Sequence, residues 1–380
     1  MKKLIIHIGT GKTGISSIRR SALDSALNLS KHNIFYLGEF FESSPGLTTA
    51  TSDWFQEGVH HLRNQWSTSF EKAFHQSLDD AFSGLPDDSV SFVLNESLHH
   101  LHNPFASSLK QFEERSQIQI KIKAYARNHG DYSVSAYKQW GLKHKTNTGP
   151  TLPYTAWCQK FEKLFICYGQ QLKEWKEVFQ DNMMTYNYDL IENVAIHFQN
   201  ILRSESNNQL VVLEKTTARS NITPGMDRLV LHALANHGVH QQSLPVNLDK
   251  LLNKHPLPSP NLDNLELTSL IPTTQDIQAL SSSGAIQEDQ AIVNTLLKSG
   301  NELPLSDSSQ TLNDAQIPQT EHTLSNKVLS NLLNILISQD QTIQGLQDDL
   351  HRLQHRLDHL ETTRMQPSPN TIDESTGSIT

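Results

Sequence analysis

The chain has 380 residues and carries a net charge of −9, which excludes a general nucleic-acid binder, because no basic stripe offsets that balance. Hydrophobic residues make up 36%, and they are concentrated in the first 240 positions, so one part of the chain can bury a core and another cannot. Two cysteines, Cys158 and Cys167, are too few for a disulfide framework and read as buried thiols.

In chain order, Leu4–Ile8 is a short apolar run that ends in Gly9-Thr10-Gly11, and Ile15, Ile18, Ala22 and Leu23 then recur at helical spacing. His7 breaks the N-terminal apolar run too early for a signal peptide. No window reaches the roughly 18 apolar residues of a membrane span, so a cytoplasmic location is expected. Strands are predicted at Asn33–Leu37, Ser89–Leu94, Ile118–Ala126 and Met183–Tyr186. Helices are predicted over 53–83, Tyr132–Lys145, Tyr154–Phe179 and Pro224–Asn236. This alternation implies an α/β domain over 1–240, three layers around a parallel sheet with a P-loop-like first turn.

From 241 to 322 the composition turns to Pro, Ser, Asn and Gln, which reads as a polar linker with a short helix near 285–298. Leu329, Leu332, Leu336, Gln339, Ile343, Leu346, Leu350, Leu353, Leu357 and Leu360 then recur at alternating steps of three and four. That is an a/d seam of about four and a half heptads, and it predicts a coiled coil within 323–364 that joins copies of the chain through residues 329–360. Residues 365–380 read as a disordered tail.

The loop after the first strand, Gly9-Thr10-Gly11-Lys12-Thr13-Gly14-Ile15-Ser16-Ser17, has the makings of a phosphate cradle. Glycines let successive N–H groups face one point, the helix start adds positive potential, and Lys12 adds a full charge. Gly11, Lys12, Thr13, Gly14, Ser16 and Ser17 are the expected contacts. A strict Walker A loop would place glycine where Ile6 stands.

Lys12-Thr13-Gly14-Ile15-Ser16-Ser17 after an N-terminal strand resembles the 5′-phosphosulfate loop of sulfotransferases that use 3′-phosphoadenylyl sulfate (PAPS), particularly the bacterial and carbohydrate-modifying branches. A second element supports the resemblance: Arg127 ends a predicted strand, and Ser135 follows eight residues later, as in the family's 3′-phosphate site. The resemblance covers roughly 1–240 and implies transfer of a sulfuryl group from PAPS to a hydroxyl or amine acceptor, carbohydrates among the candidates, without a metal. It implies Lys12 as the cation on the leaving phosphate, and a base from Glu96, Glu39 or His99, in that order. The cluster His99, His100 and His102 lacks an acidic or thiol partner at ligand spacing, so no metal site is expected. A magnesium-dependent P-loop kinase and a non-catalytic coiled-coil scaffold with a decayed nucleotide domain stand as the alternatives.

Overall fold

The computed structural model describes residues 1–44, 66–208, 211–213, 270–297, 301–303 and 338–354, with Leu229, His232, Ala233, Asn236 and Leu336 described singly. Strand β1 (Lys2–Gly9) leads into helix α1 (Ile15–Asp24) and a short α2 (Ala26–Ser30). After β2 (Ile34–Tyr36) come α3 (Thr68–Ser83), β3 (Val90–Leu94), α4 (Ser107–Arg115) and β4 (Ile118–Ala126). Then follow α5 (His129–Ala136), α6 (Tyr154–Phe161), α7 (Gly169–Phe179), β5 (Met183–Asn187) and α8 (Val194–Ser206). Two further helices, α9 (Thr274–Ser281) and α10 (Gly284–Leu296), return to the body.

The strands form one five-stranded sheet in the order β2-β3-β1-β4-β5, with every pairing parallel. Because side chains alternate across a strand, β1 sends Leu4, Ile6 and Ile8 to one face and Ile5 to the other. The first face is covered by α3, α4 and α7 through Phe74, Leu78, Leu109, Phe112, Leu172 and Trp175. The second is covered by α1 and α8 through Ile15, Ile18, Phe198 and Leu202. The result is an α/β domain with three layers; β1 and β3 are largely apolar on both sides, while β4 turns Gln119, Lys121 and Lys123 to one side.

The single helix expected over Tyr154–Phe179 is broken. After Phe161 the chain makes a wide turn over Glu162–Ile166, Cys167 is extended, and α7 starts at Gly169. The aromatic stripe runs straight through this break, because Trp157, Phe161, Phe165 and Trp175 reach the same core from both helices. Periodicity alone could not reveal the interruption.

The expectation of a polar linker also fails for part of 241–322. Leu270, Ile277, Ile286, Val293, Leu297 and Leu303 belong to the main core, so this stretch is a packed part of the domain. The rest of 241–322 lies outside the described residues, as do 53–65, most of Pro224–Asn236, 329–335, 355–360 and the tail. Residues 338–354 are helical, with Ile343, Leu346, Leu350 and Leu353 exposed. No described helix is long and apolar enough to cross a membrane.

Candidate active site

The carboxyl ends of the strands carry the polar groups. β1 lies between β3 and β4, and the chain goes to opposite sides of it, which is where open parallel sheets place their ligand crevice. The loop Thr10–Gly14 follows β1, Glu39 follows β2, Glu96 and His99 follow β3, Arg127 follows β4 and Asp189 follows β5.

The loop is held from below. Thr10 donates from its N–H (2.9 Å) and its hydroxyl (3.1 Å) to the Tyr125 carbonyl on β4. Gly9, at φ +110°, passes so close to β3's exit that a Cβ would lie 2.5 Å from the Glu96 carbonyl oxygen, so only glycine fits there. Positive φ recurs at Lys12 (60°) and Gly14 (77°), which curls the backbone into the start of α1. Gly14 is the N-cap and makes no side-chain capping bond; the Ser17 N–H turns back to the Gly14 carbonyl (3.0 Å). The hydroxyl of Thr13, expected as a phosphate donor, instead turns inward and donates to the Thr10 carbonyl (2.6 Å). Ser16 and Ser17 are half-buried on the first turn of α1.

Lys12 is half-buried, with Nζ 3.5 Å from Gln139 Oε1. Burial lowers its pKa from the usual lysine range; Glu96 opposes this, while Arg127 and Lys143 add to it. Arg127 reaches the same loop, its Nη1 lying 3.5 Å from the Lys12 carbonyl. Its Nε sits 3.4 Å from Asp189 Oδ1, and the guanidinium lies over the Tyr188 ring at 5.6 Å. Ser135 is half-buried near the C-terminal end of α5, the helix that Asn128 caps directly after Arg127. Lys138, whose pKa is also lowered by burial and by Arg127, adds a further cation to this wall.

The three base candidates differ. Arg19 on α1 grips Glu39 Oε1 at 2.7 Å and reaches Glu96 Oε2 at 3.7 Å, so the two carboxylates share one guanidinium. Burial raises the Glu39 pKa, Arg19 pulls it down, and Glu42 and Glu96 push it up, the balance being upward. Glu96 is half-buried and close enough to Lys12 to raise that lysine's pKa. His99 is buried, and its Nδ1 lies 2.5 Å from the Glu96 carbonyl oxygen. Burial lowers its pKa to about 4, against the backbone hydrogen bond, so it is a poor proton acceptor at neutral pH. Glu42 serves the backbone, accepting from the N–H groups of Glu39 (2.7 Å) and Phe40 (2.6 Å).

The histidine trio does not converge on one point. The His99 and His100 rings lie 3.8 Å apart with their planes tilted by 37°, while His102 pairs with Glu174 at 2.9 Å. Among the described residues no cluster of His, Cys, Asp or Glu could hold a metal. Arg19 was missed in the sequence because Arg20 is chemically identical. Only the phase of α1 turns Arg19 toward the carboxylates and Arg20 toward Asp24.

No protein-family profile matches the chain, and no curated protein matches it. Among solved structures, a sulfotransferase from Alicyclobacillus acidocaldarius is similar at a TM-score of 0.36 and 16% identity, over 60% of this chain and 89% of that one. A retinol dehydratase in complex with androsterone and inactive cofactor PAP is similar at a TM-score of 0.28 and 12% identity, over 78% of this chain and 81% of that one.

Proposed function

We propose that this protein is a sulfotransferase that moves the sulfuryl group of PAPS to a hydroxyl or amine acceptor, with carbohydrate hydroxyls the first to assay. The observation that carries the reading is the meeting of Lys12 and Arg127 at the mouths of adjacent parallel strands, beside an uncapped helix start. A nucleotide with phosphates at both ends of its ribose needs two separate anion sites, and these residues supply them. The curled loop, the first turn of α1 and Lys12 suit the 5′ end; Arg127 and Ser135 suit the 3′-phosphate.

During transfer the acceptor oxygen bonds to sulfur as the bond from sulfur to the donor's phosphate oxygen breaks. Negative charge then grows on that phosphate, and the half-buried Lys12 ammonium stabilises it more strongly than an exposed one could. The acceptor proton passes to a carboxylate. Glu96 ranks first, being half-buried beside Lys12 and less tightly bound to Arg19 than Glu39 is. Glu39 ranks second, and His99 falls behind both because its ring is buried against backbone.

Calorimetry with adenosine 3′,5′-bisphosphate, run without magnesium, tests the assignment against ATP with magnesium. Preference for the bisphosphate is expected. Magnesium-dependent ATP binding would favour a kinase, and the absence of either would leave a non-catalytic scaffold.

A further inference from the structure

The returning segment 270–303 reaches the Arg127 turn by two separate routes. On the first, Asp289 of α10 is buried and accepts from the N–H groups of Tyr168 (3.0 Å) and Gly169 (2.8 Å), capping α7. Its Oδ2 also lies 2.8 Å from His129 Nε2, while Gln290 Oε1 lies 2.7 Å from His129 Nδ1. The contact is too close for any side chain at position 169, where a Cβ would sit 2.8 Å from the Asp289 carbonyl oxygen. His129 stacks flat on Tyr168 at 4.8 Å. The Tyr168 hydroxyl then accepts from the Arg127 N–H (3.1 Å) and donates to the Arg127 carbonyl, gripping that one residue's backbone from both ends.

On the second route, the Asn187 side-chain amide at the end of β5 donates to the carbonyls of Asn301 (3.1 Å) and Glu302 (3.3 Å). Its carbonyl oxygen accepts from the Asp189 N–H (2.9 Å), and Asp189 in turn receives the Asn128 N–H (2.7 Å) and pairs with Arg127. Four of the members, His129, Tyr168, Asn187 and Asp289, are nearly inaccessible to solvent, where polar groups are kept only when fully bonded.

We infer that residues 270–297 and 301–303 form a clasp that sets the Arg127 turn, with Asp289, Tyr168 and Asn187 as positioning residues for recognition of a ribose 3′-phosphate. This rests on the donor-site reading above. A planar guanidinium rewards orientation: a bidentate phosphate contact is lost when the fork rotates, even though the charge stays in place. The clasp fixes the backbone from which that fork projects.

The test compares adenosine 3′,5′-bisphosphate with adenosine 5′-monophosphate by calorimetry, because the ratio of their affinities isolates the 3′-phosphate. Wild-type protein should prefer the bisphosphate by about tenfold or more, the value of a charge-assisted contact. Tyr168→Phe keeps the ring and its stacking but deletes the hydroxyl, and Asp289→Asn weakens the cap from the far end. Both should reduce the preference severalfold while leaving monophosphate affinity near wild type. If both variants keep the full preference, the clasp does not position Arg127. If both nucleotides weaken equally, in step with a lower melting temperature, the clasp is merely structural and the inference fails. If the wild type shows no preference at all, the donor-site reading itself falls, and the clasp's role with it.

Discussion

Replacing Lys12 by glycine separates stability from activity by sign. Lys12 holds φ at 60°, a left-handed conformation that costs an L-residue about 1–2 kcal/mol and costs glycine nothing. Against that relief, glycine adds about 0.5–1 kcal/mol of unfolded-chain entropy. The side chain itself contributes little to folding: its hydrogen bond to Gln139 is long at 3.5 Å, and burial already disfavours its charge. The net expectation is a protein between equally stable and about 1.5 kcal/mol more stable. Activity should move the other way, falling by about 10²–10³, the usual loss when a preorganised charge at a developing anion is removed. Lys12→Met is the control, since it keeps both the strain and the apolar stem: wild-type stability and the same loss of activity are expected. Urea denaturation gives the first quantity, and release of adenosine 3′,5′-bisphosphate from PAPS with a panel of hydroxyl acceptors gives the second. A Lys12→Gly protein that is clearly less stable yet turns over normally would refute the reasoning on both counts.

Arg127→Ala should weaken adenosine 3′,5′-bisphosphate binding by about 1.5–3 kcal/mol, and Ser135→Ala by less, because a hydroxyl is a neutral donor; equal affinity of wild type and Arg127→Ala by calorimetry would remove this contact. Glu205 accepts from Lys121 (2.5 Å) and from Lys123 (3.3 Å), whose side chain is only 3% exposed, so Glu205→Gln removes the carboxylate that the two lysines share, at a cost of about 1.5–3 kcal/mol. Burial would raise the Glu205 pKa, but the two lysines outweigh it and the pKa is lowered from 4.5, so this stabilisation is full above that pH and is lost as pH falls through the folded value. Urea midpoints from pH 7 down to pH 3 should therefore converge for wild type and Glu205→Gln, and parallel curves would contradict the assignment. Ile343, Leu346, Leu350 and Leu353 are 50–64% exposed on the helix of residues 338–354, and the seam is proposed to pair with a second copy. Sedimentation should show an oligomer for wild type and a monomer for Leu346→Lys/Leu350→Lys; a monomeric wild type at micromolar concentration would end the coiled-coil proposal.

The sequence by itself determined whatever depends on local repetition. Short apolar or β-type runs located the five described strands to within a residue or two. The glycine spacing around Lys12 located a curled loop between β1 and α1, because positive φ is readily available to few other residues. The position of Arg127 at the end of β4 followed from the strand's own apolar run. Tertiary structure decided the rest. Thr13 turns its hydroxyl inward because Thr10, pinned to Tyr125, presents a carbonyl there. Arg19 joins Glu39 to Glu96 because β2 and β3 end beside α1, a meeting of residues far apart in the chain. α7 begins at Gly169 because a carboxylate from α10 caps it, over a sequence separation that no local pattern can carry. The Pro- and Ser-rich composition of 241–322 concealed the packed stretch 270–303 for the same reason. Its apolar residues are sparse, and they count as core only once the domain offers them a surface to cover.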